Sequence, residues 1–512
     1  MKPQRAASVR SSGLLLHITS LPGPGGVGDL GPAAHAFVDQ LQRGGQRLWQ
    51  VLPLGPTGYG DSPYQSLSAF AGHPLFVSLE VLVQQGLLEA EDLVGAPPAA
   101  ERADYAAAQA FRLPRLARAA ERIQQPQHAA LRADFEAFCT AQAAWLEDYA
   151  LYMALKEQHG LQPWYAWPPP LRDRHPEALE AARQRLHNRL HFHRFTQWQF
   201  FQQWRALRQH AAERGVRLLG DMPMFVAHDS VEVWTEREQF LLYPDGTLRV
   251  QAGVPPDYFS PTGQLWGNPL YDWPRMQQDG FSFWRRRMAW ALTLYDRVRI
   301  DHFRGFAATW TVPAGAPDAT FGQWVQVPGE ALFSRLFDVF GDQLDLVAED
   351  LGLITPDVEA LRDRFGLPGM RVIQFAFGSS EPEKVRPYSF PRRAVVYTST
   401  HDNDTIVGWF RGDDHVARQD TARTDQRNLL EYLGLEGCEP VDIHWQVIRL
   451  ALSTVADTVI LPVQDVLGLG SQARMNRPGC AVGNWGFRLL PGQLTAAVLD
   501  RLRRLCEIYG RA

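Results

Sequence analysis

A chain of 512 residues can bury a large core, and its formal net charge of −5 offers no basic field to nucleic acid or anionic lipid. Cys139, Cys438, Cys480 and Cys506 lie far apart, which argues against a disulfide framework or a cysteine zinc site. The polar first twelve residues and the short run Leu14-Leu15-Leu16 make neither a signal core nor a membrane span, so a cytoplasmic protein without membrane partners is expected.

Apolar, β-rich runs recur at 13–17, 47–54, 216–222, 297–303, 344–349, 370–377, 394–399 and 457–463, and most are followed by a helical pattern. That alternation is the signature of a parallel sheet, and eight such strands close a (β/α)8 TIM barrel of class α/β. Chemistry in such barrels sits at the C-terminal strand ends, so the polar residues that terminate these runs carry the functional reading.

The first strand leads into Gly23-Pro24-Gly25-Gly26-Val27-Gly28, which matches G-x-G-x-x-G. The next strand ends Leu52-Pro53-Leu54-Gly55 without the ribose-binding acid, and two prolines stiffen the loop, so dinucleotide binding is set aside. The loop after the second strand, from Gly55 to Gln65, holds Tyr59, Ser62 and Tyr64 and suits a sugar subsite, with ordinary turn packing as the competing reading.

Residues 77–195 read as a helical insertion between strands two and three. Its His187, His191 and His193 have no carboxylate or cysteine at ligand spacing and stand among Arg185, Arg189 and Arg194, so no metal is expected. Strand three ends Gly220-Asp221-Met222-Pro223. A second insertion, 235–280, interleaves turn residues with aromatics, including Gln264 and Trp266, and reads as a binding loop over the mouth. The sixteen tryptophans of the chain point weakly toward sugar stacking.

Strand four ends Arg299-Ile300-Asp301-His302-Phe303-Arg304. Residues two apart on a strand share a face, so Arg299 sits beside Asp301 and favours its ionised form. Strand five ends Glu349-Asp350, of which the inward-pointing member is the candidate; Thr355 caps the helix beyond, with Pro356 at its first position. Strand seven ends His401-Asp402-Asn403-Asp404, and strand eight ends Gln464-Asp465 before a Gly-rich loop, 468–485. A terminal helix over 493–509 leaves no room for a C-terminal β-sandwich.

Asp301, Glu349 and Asp402 thus meet at one barrel mouth. Retaining cleavage of a glycosidic bond needs an ionised nucleophile and a protonated acid about 5–5.5 Å apart, which neighbouring strands can supply. Asp301 beside Arg299 suits the first role, Glu349 in a drier setting the second, and Asp402 the support of the distorted sugar.

The motifs Arg299-Ile300-Asp301-His302-Phe303-Arg304-Gly305, Ala348-Glu349-Asp350-Leu351-Gly352 and Thr400-His401-Asp402-Asn403-Asp404-Thr405 resemble those of glycoside hydrolase family 77, the amylomaltases. Ser62-Pro63-Tyr64-Gln65, Gly220-Asp221-Met222-Pro223 and the run from Leu461 to Gly470 agree, and the resemblance spans about 13–490. It implies a 4-α-glucanotransferase that moves segments of maltooligosaccharides and α-1,4-glucans, with no metal or organic cofactor. It also implies Asp301 as nucleophile, Glu349 as acid/base and Asp402 as stabiliser, with Tyr59, Ser62, Tyr64, Asp221, Gln264, Trp266, Arg299 and His401 binding substrate. Transfer rather than hydrolysis rests on this resemblance alone; an α-amylase-type hydrolase and a non-catalytic glucan-binding protein are the alternatives. Oligomeric state is left open. His73, Ser399 and the pair Gly486-Phe487 depart from the family pattern.

Overall fold

The computed structural model describes residues 10–256, 260–378, 385–413, 419–437, 442–480 and 482–512; Cys438, part of the proposed mouth loop (257–259) and the N-terminal stretch before residue 10 lie outside these. Eight strands close a parallel barrel: β1 (Ser11–Leu15), β2 (Leu48–Gln50), β3 (Arg217–Met222), β4 (Arg297–Ile300), β5 (Leu346–Ala348), β6 (Gly369–Val372), β7 (Ala394–Tyr397) and β8 (Thr458–Pro462). Each expected run contains or overlaps one of them. The order around the barrel is β1-β8-β7-β6-β5-β4-β3-β2, so sequence neighbours pair and β8 closes on β1 through Ser11↔Thr458 to Leu15↔Pro462. Their side chains are almost wholly buried, as in a sheet covered on both faces.

Two glycines set the strand spacing near the site. A Cβ on Gly13 would stand 2.4 Å from the Leu48 carbonyl, and one on Gly220 would enter the Tyr295 ring at 2.2 Å. The absence of a side chain at 220 lets Tyr295 pack under the strand end that carries Asp221.

Between β2 and β3 the chain is helical, dominated by Ala129–Gln158 and His187–Glu213. The second of these runs unbroken through residue 195, so the insertion passes into the helix preceding β3 without a linker. Its histidines are held by protein: His191 Nε2 lies 2.7 Å from the Ala120 carbonyl and His193 Nε2 lies 3.2 Å from Glu157 Oε1. No cluster of three metal-ligating side chains occurs among the described residues.

The segment read as a loop over the mouth contains sheet. Strands Gln264–Pro269, Val250–Val254, Ala308–Pro313 and Gln323–Gln326 form, in that spatial order, an antiparallel four-stranded sheet. Half of it comes from the stretch after β4, where Trp310 faces Trp324 across the ladder. Alternation in those short strands is interrupted by Gly and Pro, which hides their period in the sequence.

The Gly-rich loop 23–28 is filled by an arginine. Arg112 donates to the carbonyls of Gly25 and Val27 at 3.0 and 2.9 Å and to Asp29 at 2.8 Å, so the loop offers carbonyls to a cation where a pyrophosphate would need amides. Beyond β8 the described chain adds the helix Ala496–Ile508, capped by Thr495, and no further sheet strand. The helix Pro356–Arg364 does begin after Thr355, but the Thr355 hydroxyl makes no capping bond; it donates to Asp357 and receives Arg304. No helix among the described residues is long and apolar enough to cross a membrane.

Candidate active site

The C-terminal ends of β3, β4, β5 and β7 bring the polar residues together. Arg299, at the third position of β4, is buried in the barrel, with Nη1 2.7 Å from each Asp221 oxygen and 2.9 Å from Asp301 Oδ1. The two-residue period of the strand produces the Arg299–Asp301 pair, and the β3–β4 register, Asp221↔Arg299, produces the other. Tyr64 reaches in from the loop after β2 and donates from its hydroxyl to Asp221 Oδ2 at 2.8 Å. Burial works against the Arg299 charge, but the carboxylates of Asp221 and Asp301 hold its pKa well above the ordinary value. Burial raises Asp221, opposed by the Arg299 charge, and raises the Tyr64 phenol, which stays a donor. Arg304, also near Asp301 in sequence, turns away to lie 3.8 Å over the Trp324 ring, so among the described residues the cation paired with Asp301 is Arg299.

Glu349 follows β5 and faces the mouth, whereas Asp350 turns outward. Asp350 accepts from Arg362 at 2.5 Å and from the Met370 amide at 2.6 Å, which locks the end of β5 to the next helix and strand. Glu349 Oε2 accepts from the His302 amide at 2.8 Å and Oε1 from the Leu351 amide at 3.0 Å. Burial pushes its pKa up to about 8; the Arg299 charge pulls it down and the Asp301 charge adds to the rise. Arg299 therefore acts on both carboxyls, and at Glu349 desolvation outweighs it. His302 adopts a left-handed conformation (φ 51°), which aims its amide at Glu349; burial lowers its imidazole to about 4, so the ring is neutral.

Asp402 is the most open of the three, its side chain 45% exposed against 27% for Asp301. Asn476 donates to its Oδ1 at 2.6 Å, Arg474 to its carbonyl at 2.7 Å, and His401 Nε2 stands 3.4 Å from its Oδ2. The turn bearing it is tied down by buried Asp465, which accepts from the hydroxyls of Thr398 and Ser399, each at 2.6 Å, and from the Ile406 amide at 2.8 Å. The Ser399 hydroxyl is thus engaged in holding this turn. His73 accepts from the Leu75 amide at 3.1 Å and meets Thr57 at 3.2 Å, so its departure is absorbed by the loop. Gly486 leaves room for Arg102, whose guanidinium would stand 2.7 Å from a Cβ there.

Aromatic rings frame the mouth. Tyr64 stacks on His401 at 5.2 Å, Trp485 stands 5.8 Å from Tyr64, and Trp266 meets His302 edge-on at 4.8 Å. Gln264 accepts from the Trp266 indole at 3.3 Å. Ser62 accepts from the Tyr64 amide at 3.3 Å and acts on the loop, not on the carboxylates. Tyr59 is 80% exposed at the outer rim, outside the hydrogen-bonded cluster. Asn476, Arg474 and Trp485 are components that sequence reasoning missed, and Asp465, read there only as the end of strand eight, proves to tie down the turn that bears Asp402. The Gly-rich loop after β8 was visible, but nothing in its pattern singled out Asn476.

The family model described as 4-alpha-glucanotransferase matches residues 16–494. The 4-alpha-glucanotransferase of Thermus thermophilus is 51% identical over 504 residues, covering 98% of this chain and 99% of the relative. That of Synechocystis sp. is 47% identical, with 98% of each chain covered. Among solved structures, the amylomaltase from Streptococcus agalactiae in complex with acarbose superimposes with a TM-score of 0.92 at 35% identity, covering 98% of this chain and 100% of that one.

Proposed function

The chain belongs to glycoside hydrolase family 77 and is a 4-alpha-glucanotransferase; from that premise we propose that it works by double displacement at Asp301, with Glu349 as acid and base. An α-1,4-glucan binds across the mouth, and Glu349, protonated below pH about 8, donates to the leaving glycosidic oxygen as Asp301 attacks the anomeric carbon. The aglycone leaves with the Glu349 proton, and the glycosyl unit remains as an ester of Asp301. Glu349, now ionised, takes the proton from the 4-hydroxyl of an incoming glucan, which attacks the ester and regenerates both groups. Two inversions give net retention.

The observation that carries this reading is the opposite setting of two carboxyls on adjacent strands. Asp301 lies 2.9 Å from a guanidinium, and Glu349 is desolvated with its pKa up to about 8. Asp402 and His401 are assigned to the hydroxyls of the cleaved sugar, Arg299 and Asp221 to fixing Asp301, and Tyr64, Trp266, Gln264, Ser62 and Tyr59 to the glucan path. Stacked rings over the mouth favour an acceptor sugar over water at the ester stage. Maltooligosaccharides are the proposed substrates, in the cytoplasm. The architecture is assigned as one catalytic barrel with insertions at 77–195 and 235–280.

Trapping tests the mechanism. An α-maltosyl fluoride needs little acid assistance to leave, so Glu349→Gln will form the ester but lacks the base to discharge it. Mass spectrometry should find a maltosyl increment on the peptide containing Asp301. An increment on another residue, or a β-configured product from the unmodified enzyme, overturns the proposal.

A further inference from the structure

Beneath the Gly-rich loop lies a buried guanidinium with no carboxylate in contact with it among the described residues. Arg488 is 1% exposed, and only Nη2 is used, donating to the carbonyls of Leu21 and Gly23 at 3.2 and 2.8 Å. Its Nε and Nη1 are buried with no hydrogen-bond partner. Among the described residues no carboxylate comes within 4.0 Å of it. Arg112, 2% exposed, is a neighbouring cation whose charge opposes that of Arg488, and the Arg112 charge is met by Asp29 at 2.8 Å. Two buried guanidiniums therefore share one carboxylate. The neighbouring Tyr105 hydroxyl donates to the Trp485 carbonyl at 3.0 Å, and the Thr19 hydroxyl lies against it.

An arginine does not shed its proton in a protein, and a buried charge left unpaired is costly. Carbonyl oxygens offer Nη2 partial compensation but leave a net charge of one. We infer that Arg488 holds a small monovalent anion of halide size, bound by its Nε and Nη1, between the Gly-rich loop and the strand-like segment that follows Trp485. The ligand is a monoanion because the surplus is a single charge, which a doubly charged phosphate or sulfate would reverse. Nothing in the catalytic steps uses this group, so the site is separate from the substrate path.

Bromide replaces chloride at such sites and scatters anomalously. Crystals of the unmodified enzyme soaked in sodium bromide should show an anomalous peak within about 3.5 Å of Arg488 Nε and Nη1, at charge-assisted hydrogen-bond range enlarged for a halide radius. The melting temperature of the unmodified enzyme should rise by about 2–4 °C in sodium chloride over sodium gluconate of equal ionic strength, as binding to the native state requires. Arg488→Met should lose that difference; because this variant risks misfolding, the two measurements on the unmodified enzyme decide the matter. No peak at Arg488, or a peak there with equal melting in chloride and gluconate, which marks an adventitious ion only, overturns the inference.

Discussion

At the residue scale one guanidinium serves three carboxyls differently. Arg299 touches Asp221 and Asp301 directly and reaches Glu349 only through space. Asp301→Asn should lower kcat on the order of 10⁴-fold or more, since no ester forms, while glucan binding persists by calorimetry. The same change removes a negative charge that helps keep Glu349 protonated. Its pKa should therefore fall below about 8 in Asp301→Asn, as followed by carboxyl ¹³C NMR; an unchanged value would show that burial alone sets it. In the unmodified free enzyme the acid form is present below that pKa and lost above it. The alkaline limb of kcat/KM should then bend near pH 8 and drop tenfold per unit beyond. Asn476→Ala deletes a 2.6 Å bond to a carboxylate that is nearly half exposed, so about 1 kcal/mol, or about a fivefold loss in kcat/KM, is expected.

At the element scale the strand ends were legible wherever a local period fixed them. Arg299 and Asp301 are two apart on one strand, so their pairing follows from the pleat. Choosing between Glu349 and Asp350 needed the structure, because only the neighbouring helix and strand show that Arg362 and the Met370 amide claim Asp350. Asp402 could be placed on strand seven, yet its partner Asn476 is 74 residues away in a loop with no repeat to predict its position. The small sheet escaped for a related reason: two of its strands come from after β4, and the first of them, Ala308–Pro313, pairs with Val250–Val254 from before β4, where Gly253 interrupts the pattern. Asp350 should act as a structural brace. Asp350→Asn takes from Arg362, a largely buried cation, its buried counter-charge and leaves it only the exposed Asp363 at 2.8 Å; the loss of this charged hydrogen bond should destabilise the fold by about 2 kcal/mol, read as a lowered calorimetric midpoint.

At the scale of the whole molecule, the helical insertion and the loop after β2 are fastened around the barrel mouth by buried polar groups. Glu232 is one of these: it is 3% exposed, accepts from Ser68 at 2.7 Å and the Ala69 amide at 2.9 Å, and burial raises its pKa to about 7. Between its unfolded pKa of about 4.3 and about 7 the native protein holds a proton that the unfolded chain has lost, so this group's contribution to stability falls as pH rises. Glu232→Gln should remove that slope, leaving the variant more stable than the parent at pH 8 while the two converge near pH 4; a slope that persists would assign it elsewhere. The measurement that bears most directly on the central claim is turnover of maltotriose alone, without added metal, by the parent enzyme and Asp301→Asn, with products separated by chromatography and reducing ends counted. Glucose together with maltopentaose and longer chains, constant total reducing ends, and near-complete loss of this activity in Asp301→Asn are expected of a transferase with Asp301 as its nucleophile. Rising reducing ends with only shorter products, or undiminished turnover in the variant, would contradict that assignment.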